Sequence, residues 1–154
     1  MNALLQSPPL SGIQVLVVEP EDGDRAFLVS TLTAAGLIVT AADGFARARA
    51  CLVRRPPAVL VTEIRLGKHN GLHLAHIGRW TWQPMILVVT SRYRDPVLTR
   101  EAEALGATFV QKPLTPAGLL APLYRAARPD RQADDLMVGS LPSLAGCRRR
   151  SDER

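Results

Sequence analysis

Residues 60–74 read LVTEIRLGKHNGLHL. An apolar run ends on a single acid, Glu63, a short loop carrying Gly67 and Lys68 follows, and Asn70-Gly71 opens the next amphipathic stretch. A continuous apolar run closed by turn residues is what a strand buried on both faces requires. Asn70 is placed to cap a helix that begins just after it.

The same unit recurs on either side. Apolar runs stand at 13–18 (IQVLVV), 37–41 (LIVTA), 58–62 (AVLVT), 85–90 (MILVVT) and 107–110 (ATFV). The segments between them suit crossover helices. Leu28, Leu32 and Ala35 share one helical face that Gly36 terminates. Phe45, Ala48, Cys51 and Leu52 form a stripe that ends before Pro56-Pro57. Asp95 with Pro96, and Thr115 with Pro116, are start signals for two more helices. Pro122 falls inside the last of these and is expected to kink it. The order is (βα)5. Right-handed crossovers then imply an α/β, doubly wound, five-stranded parallel sheet of flavodoxin-like type, with any site at the carboxyl ends of the strands. Those ends carry Glu19, Glu63, Thr90 and Lys112.

Composition agrees with one globular unit. Of 154 residues, 47% are apolar, enough for a core of ordinary size. Residues 12–128 are expected to form the domain, 1–11 an N-terminal extension and 129–154 a disordered tail, because the tail lacks periodicity and is rich in charge, Pro, Gly and Ser. The formal net charge is +5. Its basic residues are scattered apart from Arg148-Arg149-Arg150, which lies beside Asp152 and Glu153, so nucleic acid is not the expected partner. The first residues have no basic segment and only a short apolar run, and no stretch approaches a membrane span. The expected location is the cytoplasm, without membrane attachment. Cys51 and Cys147 have no metal or disulfide spacing.

Four motifs in register, VLVVEPED (15–22), LVTEIRLGKHNGLHL (60–74), ILVVTS (86–91) and ALGATFVQKPL (104–114), resemble the receiver domain of bacterial two-component response regulators. The resemblance covers about residues 12–128 and implies the CheY-like sheet order 2-1-3-4-5. In that family a phosphoacceptor Asp and an acidic pair hold Mg²⁺, while a Thr or Ser and a Lys bind phosphate oxygens. By position, Glu63 stands for the acceptor, Glu19 for the first acid of the pair, Pro20 for the second, Thr90 for the hydroxyl, Phe109 for the aromatic switch residue and Lys112 for the lysine.

Glu63 and Pro20 depart from the pattern. Mg²⁺ tolerates misplaced oxygens poorly, so the site is expected to be lost and no cofactor is expected. Glu63 adds about one bond length where an error of about 1 Å costs roughly a hundredfold in phosphoryl transfer. The resemblance thus implies an atypical, stand-alone receiver that is not an enzyme. It would act by protein-protein interaction, with Glu63 paired to Lys112 in imitation of the phosphorylated state. Its partner would be a signalling protein or a second copy. Alternatives are phosphotransfer through Glu63 or Asp22, and a nucleic-acid-binding regulator.

Other residues carry plainer expectations. Asp22 and Asp24 are read as acids favoured by a helix N-terminus, leaving only Glu19 of this group placed for a metal. His69, His73 and His76 are spaced for one helical face, with His69 before the cap, and no metal is assigned to them. Trp80, Trp82 and the SRYRD segment (91–95) are candidate partner contacts. Phe109 is expected to stay buried whatever Thr90 does, since burying a phenyl ring is worth about 1.5–3 kcal/mol.

Overall fold

Every apolar run becomes a strand of one parallel sheet. The computed structural model describes residues 9–80 and 84–128. In chain order the elements are β1 (Gln14–Val18), α1 (Asp22–Ala34), β2 (Ile38–Ala42), α2 (Phe45–Arg54), β3 (Val59–Glu63), β4 (Arg65–Leu66), β5 (His69–Asn70), α3 (Leu72–Trp80), β6 (Ile86–Ser91), α4 (Pro96–Ala104), β7 (Thr108–Gln111) and α5 (Pro116–Ala127). The sheet order is β2-β1-β3-β6-β7, the order 2-1-3-4-5 when only its own strands are counted.

Strand alternation divides the core into two layers. Val15, Val17, Val59, Val61 and Val88 face α1 and α5, where they meet Leu28, Leu32, Leu119 and Leu123. Leu16, Val18, Leu60, Leu87 and Val89 face α2, α3 and α4, where they meet Ala48, Leu52, Leu72, Ala75 and Ala102. Both faces of the central strands are therefore covered, which is why these runs lack polar alternation. Leu10, within the segment set apart as an N-terminal extension, is fully buried in the α1/α5 layer.

The helix signals act as their chemistry requires. Asp95 accepts from the Val97 and Leu98 N–H groups, Thr115 from Gly118 N–H, and Asn70 Oδ1 from Leu72 N–H at 2.9 Å. Gly36 ends α1 with φ +96°. Pro122 is buried, and α5 continues through it from Pro116 to Ala127.

The β4–β5 pair was not legible as strands. It is an antiparallel ribbon pairing Arg65 with Asn70 and Leu66 with His69 around the two-residue loop Gly67-Lys68. Gly67, at φ +62°, supplies the left-handed residue that such a tight turn needs at its first position. Gly71 then tucks under β3: its N–H donates to the Ile64 carbonyl at 2.7 Å, and an added Cβ would lie 2.0 Å from the Glu63 carbonyl oxygen.

The expected tail over 129–154, with Cys147 and the Arg148–Arg150 run, lies outside the described residues, as does Trp82. Among the described residues no helix is long and apolar enough to cross a membrane.

Candidate functional site

The carboxyl ends of β1, β3, β6 and β7 open into one small cleft of about 210 Å³. Glu19 directly follows β1, Glu63 ends β3 and Lys112 directly follows β7. β3 and β6 pair Glu63 with Thr90, while Lys112 N–H donates to the Ser91 carbonyl at 2.9 Å. The parallel ladders thus deliver three charged side chains to one point.

Lys112 is the centre. Its Nζ lies 2.6 Å from Glu19 Oε2, 2.7 Å from Glu63 Oε2 and 2.9 Å from Asp24 Oδ2. The lysine side chain is 4% exposed, Glu19 2%, Glu63 8% and Asp24 28%. An ammonium has three protons to donate, and three carboxylates take them. The second oxygens are held as well: Glu19 Oε1 accepts from Glu21 N–H at 3.1 Å, and Glu63 Oε1 from Arg65 N–H at 3.0 Å.

Asp24 corrects the sequence reading, which left it as a helix-terminus acid. Glu21, not Asp24, caps α1, accepting from the Gly23 and Asp24 N–H groups. That capping turn aims the Asp24 carboxylate at Lys112, with Arg92 Nη2 3.3 Å from the same oxygen. Asp22 points away, exposed and paired with Arg25. Pro20 contributes only its carbonyl, which accepts from Arg25 at 3.2 Å. Asp24 thus brings a third carboxylate to Lys112 from inside α1.

The charge balance shifts both buried partners. Burial raises the Glu19 pKa above its ordinary value, and the Glu63 charge adds to this; hydrogen bonds from Lys112 and Glu21 N–H and the Lys112 charge only partly offset the rise. For Lys112, burial acts to lower the pKa, but hydrogen bonds to Glu19, Glu63 and Asp24 and the charge of Glu63 outweigh it. Its pKa stands above the ordinary lysine value.

The two remaining expected residues behave differently. Thr90 is fully buried, and among the described residues its hydroxyl has no hydrogen-bond partner. Ser91 lines the cleft instead, its Oγ accepting from Tyr93 N–H at 3.3 Å. Phe109 is half-buried, short of the full burial expected. Its ring packs on the α2/α3/α4 core layer and also borders a cleft, with the Arg94 guanidinium 5.6 Å from its centroid. That cation–π contact requires an accessible ring face.

The histidines do not converge. His69 stacks on Phe45 at 4.5 Å, His73 meets the edge of the same ring, and His76 faces Glu101 at 3.6 Å. Trp80 and Tyr93 are exposed, and Tyr93 lies under the Arg65 guanidinium at 4.7 Å.

Over residues 15–124 the sequence matches the response regulator receiver domain family. The chain belongs to that family. No curated protein matches it. Among solved structures, this receiver is similar to the chemotaxis response regulator CheY4 of Vibrio cholerae, with 23% identity, TM-score 0.67, and 75% of this chain and 98% of the other covered. A CheY-like receiver protein of Methanospirillum hungatei superposes with TM-score 0.70 at 18% identity, covering 76% and 94%. A receiver protein of Pseudomonas putida shares 25% identity, with TM-score 0.67 and coverage of 75% and 98%.

The Mg²⁺ implied by the family does not fit the residues as this receiver places them. Mg²⁺ needs about six oxygens at about 2.0–2.1 Å in octahedral array. Here Glu19, Asp24 and Glu63 converge on an ammonium, and a cation between them would share its space with Lys112. Among the described residues no group of three His, Cys, Asp or Glu side chains is arranged to hold a metal.

Proposed function

We propose that this receiver domain signals without a phosphorylation cycle, by binding a protein partner in a conformation that Glu63 holds permanently. The observation that carries this reading is the 2.7 Å contact between Glu63 Oε2 and a Lys112 ammonium whose three protons are all engaged. In the family that lysine binds a phosphate oxygen. Here a carboxylate already occupies it, and phosphoryl transfer depends on positioning and charge neutralisation that an engaged lysine no longer supplies.

The imitation is partial. Glu63 makes the lysine half of the phosphate's contacts, while the Thr90 hydroxyl has no partner among the described residues. An internal ion pair of this kind biases one conformation without a ligand, and a two-state element moves only when something binds its states differently.

Two measurements test the reading. The full chain treated with acetyl phosphate and Mg²⁺ should gain no phosphoryl mass; acid-stable, base-labile phosphate on Glu63 would sink the proposal. Beryllofluoride with Mg²⁺ should leave the amide NMR spectrum of β6 and β7 unchanged, whereas Glu63→Gln should shift it. If Glu63→Gln leaves those resonances in place, the pair merely fills the pocket.

A further inference from the structure

The face of α2 turned toward the β1–β2 margin of the sheet is basic and underfilled. From Phe45 to Pro57 there are four arginines, Arg47, Arg49, Arg54 and Arg55, and no acid. Arg47, Ala50, Cys51 and Arg54 follow the i, i+3, i+4, i+7 spacing of one helical face. An amphipathic helix ordinarily fills such a face with large apolar side chains. Here its middle is alanine and cysteine, and both ends are arginine.

The consequence is a cavity of about 540 Å³ between α2 and the β1–β2 margin of the sheet. Leu16 and Pro57 are buried in its wall, Cys51 is half-buried, and Ile38 on the edge strand is 56% exposed. Arg47, Arg54 and Arg55 line it, and none of the three guanidinium groups has an ion-pair partner among the described residues. The volume is in the range of about 300–1,000 Å³ of small-molecule sites. An apolar wall beside unpaired guanidinium groups suits a ligand with an apolar body and one anionic group, because arginine binds carboxylate and phosphate through paired hydrogen bonds.

We propose that the cavity between α2 and the β1–β2 edge binds a small amphipathic anion, an aromatic or acyl body carrying one carboxylate or phosphate. It shares no lining residue with the Lys112 cleft, so it stands or falls independently of the function proposed above.

The test uses the full chain with Cys147→Ser, leaving Cys51 as its one thiol. Anilinonaphthalene sulfonate should bind one saturable site, and decanoate or decyl phosphate should displace it. The better displacer identifies the head group as carboxylate or phosphate. Decanol, with the same body and no charge, should displace it about tenfold less well, since a charge-assisted hydrogen bond is lost. Ala50→Trp, which fills the cavity, should abolish binding, and Arg47→Ala with Arg54→Ala should weaken it about tenfold or more. Alkylation of Cys51 by iodoacetamide should slow when decanoate is bound, a readout that needs no altered cavity residue. Non-saturable binding, binding unchanged by Ala50→Trp, or Cys51 reacting at one rate with and without decanoate would each overturn the proposal.

Discussion

Asp24 Oδ2 lies 2.9 Å from Lys112 Nζ, so a residue in the first turn of α1 completes the ring of carboxylates around a lysine beyond the last strand. This contact is one of the causes that hold the Lys112 pKa above its ordinary value. Asp24→Asn keeps an acceptor but removes the charge, so the Lys112 pKa should fall. Asp22→Asn, beside it and turned to solvent, should leave the pKa where it is. The chain has only two lysines, Lys68 and Lys112, so ¹³C NMR of the lysine side chains can follow the titration directly.

Removing the ammonium should be costly. Lys112→Met leaves Glu19 and Glu63 nearly fully buried and facing each other with no cation between them. Deleting one partner of a buried ion pair typically costs about 3–5 kcal/mol, and urea unfolding should show a loss of that order. Adding Glu63→Gln to Lys112→Met should recover part of it, because one uncompensated charge goes too. Strict additivity in the double-mutant cycle would contradict the coupled cluster.

The two pKa shifts have the same sign and separate pH windows. Lys112 binds its proton more tightly folded than unfolded, so its contribution is complete below pH 10.5 and is lost as the pH climbs through the raised folded value. Glu19 also binds its proton more tightly folded, so stability falls as the pH rises above 4.5 through its folded value. In urea titrations the wild type should lose stability through that acidic window, relative to Glu19→Gln, which has no proton to release there. A second loss should begin only in strong alkali.

Gly71 should tolerate no side chain. With backbone 2.0 Å from the position of its added Cβ, Gly71→Ala must displace the β3 terminus that carries Glu63. Overpacking of this kind costs about 1–3 kcal/mol or more, and thermal melting should fall accordingly. The Lys112 side-chain resonances should shift with it, because Glu63 moves. Gly44→Ala, where an added Cβ meets nothing within 4 Å, is the control.

The parallel sheet and the helix starts at Asn70, Asp95 and Thr115 were legible along the chain because they rest on local chemistry, whereas the strand order came from the family resemblance. Apolar runs such as Val59–Glu63, and caps at Asp95 and Thr115, act within a few residues of themselves. Positional likeness likewise brought Glu19, Glu63 and Lys112 to one site before any coordinates. Asp24 was not legible, because nothing in its neighbourhood distinguishes it from Asp22. Only the packing of α1 against the sheet sends one carboxylate to a lysine and the other to solvent. The Thr90 hydroxyl, without a partner among the described residues, and the half-buried ring of Phe109 are of the same kind. Lys112 and Glu19 are 93 residues apart, and a hydrogen bond over that separation exists only once the three parallel ladders β1–β3, β3–β6 and β6–β7 have closed. Residue types placed the charges at the strand ends, and tertiary packing decided which of them meet.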